Sequence, residues 1–323
     1  MIRRNRTLRT SYAIREMVAE TRVTANDFIV PLFITEGSNI KEEISSMRNY
    51  YRVSLDVLKI EINELWQLGL KSVLLFVKVP DNLKDDDCKE ALNPNGLMQR
   101  AIKTIKETQP EMCVMTDVAL DPFSPYGHDG LVRGNEIVND ETVKVLSAMS
   151  VSHAKAGADF VAPSDMMDFR IKNIREALEG NGFTKTGILA YSAKYASCFY
   201  GPFRDALDSV PGFGDKKTYQ MDMRNRTEAI KETLDDIKEG ADIVMVKPAS
   251  FYLDIIREVR NAVTVPVAAY QVSGEYAMIK AAAEKGWVNE QAAIVESLTA
   301  IKRAGTDLIA SYFAKDYVKI IQS

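Results

Sequence analysis

The stretch Gly240-Ala-Asp-Ile-Val-Met-Val-Lys247-Pro248 holds the plan of this chain in nine residues. A glycine closes a helical pattern, taking the left-handed conformation at little steric cost. An apolar run follows, Ile243–Val246, with no polar alternation, as expected of a strand buried on both faces. A lysine then stands where the strand should end. The same joint between helix and strand recurs at Gly69-Leu-Lys, Gly157-Ala-Asp and Gly305-Thr-Asp. Four copies of one joint favour a repeated βα architecture.

Outward from these joints, the apolar runs number eight: Phe28–Ile34, Ser72–Val77, Cys113–Val118, Phe160–Pro163, Ile188–Ser192, Ile243–Val246, Val265–Tyr270 and Leu308–Tyr312. Helical patterns separate them, near 54–68, 96–108, 140–156, 168–179, 223–239, 251–262, 274–285 with 289–304, and 315–321. Eight strictly alternating units predict an α/β protein of the (β/α)8 TIM barrel type over residues 27–323. The competing fold, a doubly wound open sheet, usually carries a glycine-rich phosphate loop after its first strand. Here only Thr35-Glu-Gly-Ser follows Ile34, with neither GxGxxG nor GxxxxGK[ST]. Residues 1–26, with Arg3, Arg4, Arg6, Arg9 and Arg15, show no core pattern. They read as a loose tail or as an N-terminal arm that packs on a neighbouring subunit.

The totals exclude several classes. With 323 residues, 46% hydrophobic and 27% charged, the composition is that of an ordinary globular protein. A net charge of −4 argues against nucleic acid as a partner. No apolar run reaches the roughly 18 residues of a membrane span, and no apolar segment follows the basic start, so neither membrane nor secretory signal is expected. Cys88, Cys113 and Cys198 are scattered and odd in number, which points to reduced thiols and a cytoplasmic location. No Cys or His pair has zinc spacing.

In a barrel the active site lies at the C-terminal strand ends. Those ends carry Asp117 with Asp121 and Asp129, Ser164 and Asp165, Lys194, Lys247, Tyr270 with Gln271 and Ser273, and Tyr312. Single features have bland readings: a rim lysine, a helix cap at Ser164-Asp165, turn-forming aspartates, a core tyrosine at 312. Two lysines on adjacent strands, each after an apolar run, are harder to dismiss. A desolvated lysine loses its proton more readily and becomes a nucleophilic amine for Schiff-base chemistry on a carbonyl. The aspartates can hold a hard cation or orient an amine. The long segment 195–222, rich in Gly, Pro and aromatics, reads as a lid. Its cations Arg204, Lys216 and Lys217 suit a substrate carboxylate.

The motifs Tyr191-Ser-Ala-Lys194-Tyr-Ala-Ser, Phe199-Tyr-Gly-Pro-Phe-Arg204, Met245-Val-Lys247-Pro248 and Tyr270-Gln-Val-Ser273-Gly-Glu closely resemble the porphobilinogen synthase (5-aminolevulinate dehydratase) family, from about Arg9 to Phe313. The resemblance implies a barrel with an N-terminal arm, assembled as a homo-octamer, that condenses two 5-aminolevulinate molecules into porphobilinogen on the way to tetrapyrroles. It implies a Schiff base at Lys247 for the A-side substrate and at Lys194 for the P-side substrate. Arg204 and Lys216 would hold the A-side carboxylate, and Ser273 and Tyr312 the P-side one. Asp117 and Ser164 would line the P-side pocket, with Tyr270 and Gln220 also contacting substrate. Zinc-dependent members carry three cysteines where this chain has Ala119, Asp121 and Asp129, so no zinc is expected. The aspartate-rich type goes with magnesium or a monovalent cation at Asp121 and Asp129, with Asp165 behind them. Glu228 matches the glutamate of the family's allosteric magnesium site, while also suiting a first helical turn. One residue departs from the family pattern: Phe169 stands where that pattern has glycine. Two other readings compete. A single-lysine aldolase leaves the second lysine and the cationic lid unexplained. A non-catalytic scaffold or metal store would leave 5-aminolevulinate untouched.

Overall fold

The computed structural model describes residues 3–209 and 211–322. Eight strands form a closed, wholly parallel barrel: β1 (Phe28–Thr35), β2 (Ser72–Lys78), β3 (Cys113–Val118), β4 (Phe160–Pro163), β5 (Gly187–Lys194), β6 (Ile243–Lys247), β7 (Val267–Gln271) and β8 (Leu308–Ser311). Each pairs with the next, and β8 closes on β1 through Phe28↔Ile309 and Ile29↔Ala310. The expected strands are all present. β7 starts two residues late because Pro266 has no N–H to give a ladder. Helices Leu55–Gln67, Leu97–Thr108, Asn139–Ala156, Arg170–Gly180, Thr227–Glu239, Leu253–Ala262, Ser273–Glu284, Glu290–Ala304 and Ala314–Gln322 follow the strands on the outside.

The recurring joints hold the N-terminal end of the barrel. Asp159, Asp242 and Asp307 each precede a strand, and each carboxylate accepts the N–H of the strand before it. The bonds are Val114 N to Asp159 at 2.7 Å, Ile188 N to Asp242 at 2.7 Å and Val267 N to Asp307 at 2.8 Å. The same three carboxylates pair with Lys106 at 2.6 Å, Arg175 at 2.6 Å and Arg260 at 2.9 Å. The barrel is thus clamped in strand pairs, β3–β4, β5–β6 and β7–β8. The glycine of the joint is needed twice over at Gly240. Its φ is +111°, and a Cβ there would stand 3.0 Å from the Arg175 stem that reaches the clamp.

Three features were not foreseen. A hairpin, Lys41–Glu43 with Tyr51–Val53, adds to the C-terminal part of β1. A small antiparallel pair, Val132–Arg133 with Glu136–Ile137, follows the aspartate-rich loop. The lid segment contains a short helix, Gly201–Leu207. The N-terminal region forms a 3-10 turn, Asn5–Arg9, and a helix, Tyr12–Met17, capped by Ser11 accepting from Ile14 N at 3.2 Å. Neither buries a residue, and Tyr12 and Met17 are exposed. Among the described residues no helix is long and apolar enough to cross a membrane.

The clamps carry a prediction. Asp159→Ala, Asp242→Ala or Asp307→Ala leaves a strand N–H without its acceptor and a basic side chain without its partner. Each should lower unfolding free energy by about 1–3 kcal/mol in urea titrations, with the double variants additive because the clamps lie on different strand pairs.

Candidate active site

Register decides the site. On β5 and β6, Lys194 and Lys247 are paired positions at the strand ends. Paired residues of parallel strands point to one side, so the two amines stand together in the barrel mouth. Both are buried, at 6% and 5% exposure.

Their surroundings differ. The Lys247 amine sits among aromatic rings, 4.6 Å from the Tyr270 centroid, 4.9 Å from Phe203, 5.1 Å from Tyr191 and 5.2 Å from Tyr200. Among the described residues it has no carboxylate or hydrogen-bond partner. Burial, followed by the neighbouring Lys194 charge, brings its pKa down to about 7. Lys194 instead donates to Asp129 Oδ2 at 2.8 Å and to the Ser164 carbonyl.

Asp129 is shared. Its Oδ1 accepts from Lys216 of the lid at 2.5 Å, and Lys216 also lies 3.8 Å from Asp121. Burial works against a charge on Asp129, but the two ammoniums outweigh it and hold the carboxyl below its usual range. Burial likewise opposes the Lys216 charge, and Asp129 and Asp121 overcome it and raise its pKa. The lid is seated further by Tyr219, whose hydroxyl accepts the Asp129 N–H at 3.3 Å and meets His128 Nδ1 at 3.1 Å. His128 Nε2 lies 3.0 Å from the Phe213 carbonyl, and Gly212 N donates to Tyr126 O at 2.9 Å. The sequence reading gave His128 and Tyr219 no role. Arg204 and Gln220 line the same cavity as both lysines, whereas Lys217 pairs outside with Asp215 at 3.2 Å.

The remaining carboxylates separate. Asp117 accepts from Ser164 Oγ at 2.7 Å, and burial, with Asp121 nearby, raises it to about 7. Asp121 is also raised, mainly by burial. Asp165 turns away from them: it accepts Met167 N at 2.7 Å and lies 3.7 Å from Arg170 Nε. Arg170 also bonds Asp236 at 3.2 Å and the Tyr191 carbonyl at 3.1 Å. Asp165 therefore belongs to a buried structural network rather than behind Asp121 and Asp129. Phe169 has φ +61°, the left-handed conformation that a glycine adopts freely, and its exposed ring leaves the lysines untouched. Glu228 accepts from Asn225 Nδ2 at 2.8 Å and lines a separate groove of about 310 Å³ with Asp168 and Glu232. Among the described residues no three His, Cys, Asp or Glu side chains converge as metal ligands.

The turn after β7 joins the lid root to the Lys247 strand. Ser273 Oγ accepts from Phe203 N at 2.9 Å and donates to Phe199 O at 3.4 Å. A Cβ on Gly274 would meet the Phe199 backbone at 2.6–2.9 Å, so only glycine allows that approach. Glu275, which the sequence reading missed, accepts Val272 N and Ser250 N at 2.8 Å each, tying this turn to the segment after Lys247. Tyr270 and Tyr312 hydroxyls meet at 2.9 Å. Lys247 therefore lies with Tyr270, Tyr312 and Ser273, and Lys194 with Lys216. This is the reverse of the pairing of lysines and carboxylate anchors expected from sequence. The closed lid leaves a cavity of about 30 Å³ between the lysines, room for about two waters.

Fold and site define a (β/α)8 barrel with two buried lysine amines side by side beneath a cationic lid. A family model described as Delta-aminolevulinic acid dehydratase matches residues 2–320. Relatives of that name are 51% identical in Bacillus subtilis over 98% of this chain and 97% of theirs, and 51% identical in Methanothermus sociabilis over 98% of both. The crystal structure of the Toxoplasma gondii delta-aminolevulinic acid dehydratase (porphobilinogen synthase) in complex with the reaction product porphobilinogen superposes with a TM-score of 0.97. It shows 48% identity over 99% of this chain and 91% of that one. The chain belongs to the delta-aminolevulinic acid dehydratase family.

Labelling with a small amine-reactive reagent should show Lys247 half-reactive near pH 7 and at its plateau by about pH 9, while surface lysines are still gaining reactivity. Lys194→Met removes a neighbouring positive charge and should move the Lys247 midpoint upward. An unmoved midpoint would leave burial as the whole cause.

Proposed function

We infer that this protein is a porphobilinogen synthase, joining two 5-aminolevulinate molecules into porphobilinogen with release of two waters. The observation that carries the reading is the register pair of Lys194 and Lys247 in a covered mouth. Each amine can convert a ketone into an imine, a better electron sink. Lys247, whose pKa is brought down to about 7, is ready to attack; Lys194 must give up its bond to Asp129 to reach a carbonyl carbon.

The geometry favours one assignment. The substrate at Lys247 would place its carboxylate on Ser273 and Tyr312, beside Tyr270, and its amine toward Asp117 and Ser164. The substrate at Lys194 would place its carboxylate on Arg204 and Lys216, with Gln220 beside them. Lys216 must then leave Asp129, which couples substrate entry to the lid. Closure over bound substrate excludes water from the imines.

We propose magnesium at Glu228. Three carboxylates, Glu228, Asp168 and Glu232, line the groove, with space for the waters that magnesium keeps. A magnesium or monovalent cation at Asp121 and Asp129 would supply the positive charge that Lys216 withdraws. We also propose that residues 1–26 join subunits of a homo-octamer, since Leu8, Tyr12 and Met17 are exposed apolar groups on a segment with no buried residue. The three free cysteines suit a cytoplasmic location.

Borohydride added with 5-aminolevulinate, read by peptide mass spectrometry, should modify both Lys194 and Lys247. Lys194→Ala and Lys247→Ala should each lose one adduct and at least 10³-fold in activity, on the scale of removing a covalent nucleophile. Absence of both adducts from the wild type would overturn the reading. Glu228→Ala should abolish any rise in melting temperature or assembly size on adding magnesium; an unchanged response would remove Glu228 from that role.

A further inference from the structure

Tyr191 and Lys194 lie three residues apart on β5. Strict alternation would send them to opposite faces of the sheet. Between the paired positions Val244↔Ala190 and Val246↔Ala193, however, β5 carries one residue more than β6. The extra residue falls at Tyr191-Ser192, opposite Met245. An irregularity of this kind re-aims a side chain. It lets the Tyr191 ring enter the mouth together with Lys194, 5.1 Å from the Lys247 amine.

Tyr191 is fully buried, and its hydroxyl has no hydrogen-bond partner. The neighbouring tyrosines are all satisfied. Tyr200 donates to Tyr195 O at 2.7 Å, Tyr195 to Asn225 O at 2.8 Å and Tyr276 to Arg48 O at 2.6 Å, while Tyr270 and Tyr312 bond each other. An unpaired buried hydroxyl is destabilising, and phenylalanine would fill the same space without that cost. The groups whose charge the Tyr191 hydroxyl feels most are Asp117, then Tyr312 and Tyr200. Of these, Asp117 and Tyr200 line the cavity that Lys247 shares with Lys194. A polar atom brought in by the substrate would find a donor waiting there.

We propose that Tyr191 is a catalytic residue of the Lys247 half-reaction, donating a hydrogen bond to the substrate carbonyl oxygen that the Lys247 amine displaces. The proposal rests on the porphobilinogen synthase reading. As the neutral amine adds to the ketone carbon, the C–N bond forms and the carbonyl π pair moves to oxygen, which takes one amine hydrogen. The C–O bond then breaks, the oxygen leaves as water with the second amine hydrogen, and the nitrogen pair closes the C=N bond. Tyr191 keeps its own proton and stabilises charge on the oxygen in both steps. Burial raises its pKa well above the ordinary phenol value, so it stays a donor.

The test is Tyr191→Phe in the full-length protein. The melting temperature should be unchanged or higher, because no protein hydrogen bond is lost. The rate of borohydride-trapped adduct formation at Lys247 should fall about 10²-fold, the usual effect of removing one such donor. Trapping at Lys194 should keep its wild-type rate, kcat should fall with the Lys247 step, and KM should change little. Wild-type trapping at Lys247 would overturn the proposal, as would an equal slowing at both lysines or a fall in melting temperature that accounts for the lost activity. A failure of the functional reading itself shows separately, as absence of adducts in the wild type.

Discussion

Two ammonium groups held in register at the ends of adjacent strands are the constraint around which this mouth is built. Parallel neighbours lie about 5 Å apart, and two like charges at that distance repel by about 3 kcal/mol in a medium of effective dielectric near 20. The structure relieves the conflict by making the two positions unequal. Asp129 balances Lys194 with a buried carboxylate. Four aromatic rings around Lys247 provide no anion, so that amine gives up its proton instead. One amine is given an anion to rest on and the other is given none.

The two ends of the barrel do different work. At the N-terminal end, three aspartates tie strand pairs together through main-chain bonds, with basic partners that lie partly in solvent. At the C-terminal end, buried charges are arranged around a space too small for substrate while the lid is down. Glu275 shows how the second depends on main-chain geometry. Burial raises its carboxyl to about 7 despite the two backbone donors it holds, and those donors belong to the segments that carry Ser273 and follow Lys247.

Much of this was legible from local pattern. Apolar runs without alternation marked the buried strands, and the glycine joints marked where each begins. The lysines stood out because their own strands are apolar. What escaped the reading depends on contacts between distant residues. Asp129 meets Lys194 and Lys216 across 65 and 87 residues, and no local signal distinguishes it from a turn former. The expected pairing put Lys194 with Ser273 and Tyr312, although strand order already sets β6, which carries Lys247, next to β7 and, beyond it, β8. Tyr191 faces inward only through a register shift against β6, which no inspection of β5 by itself shows. The helix Gly201–Leu207 was hidden because Gly-Pro reads as a turn, although proline is well placed in a first helical turn. Phe169 keeps a left-handed backbone where the family pattern has glycine, and nothing in the structure explains the substitution.

The lid is fastened unequally. Along one margin its main chain rests on Gly274 and is bonded to Ser273, a contact with no room for a side chain. Along the other it is held by an ammonium on a carboxylate, a contact that a second carboxylate can take over. A flap of this kind swings from its fixed margin, so the compartment beside that margin is its deepest part.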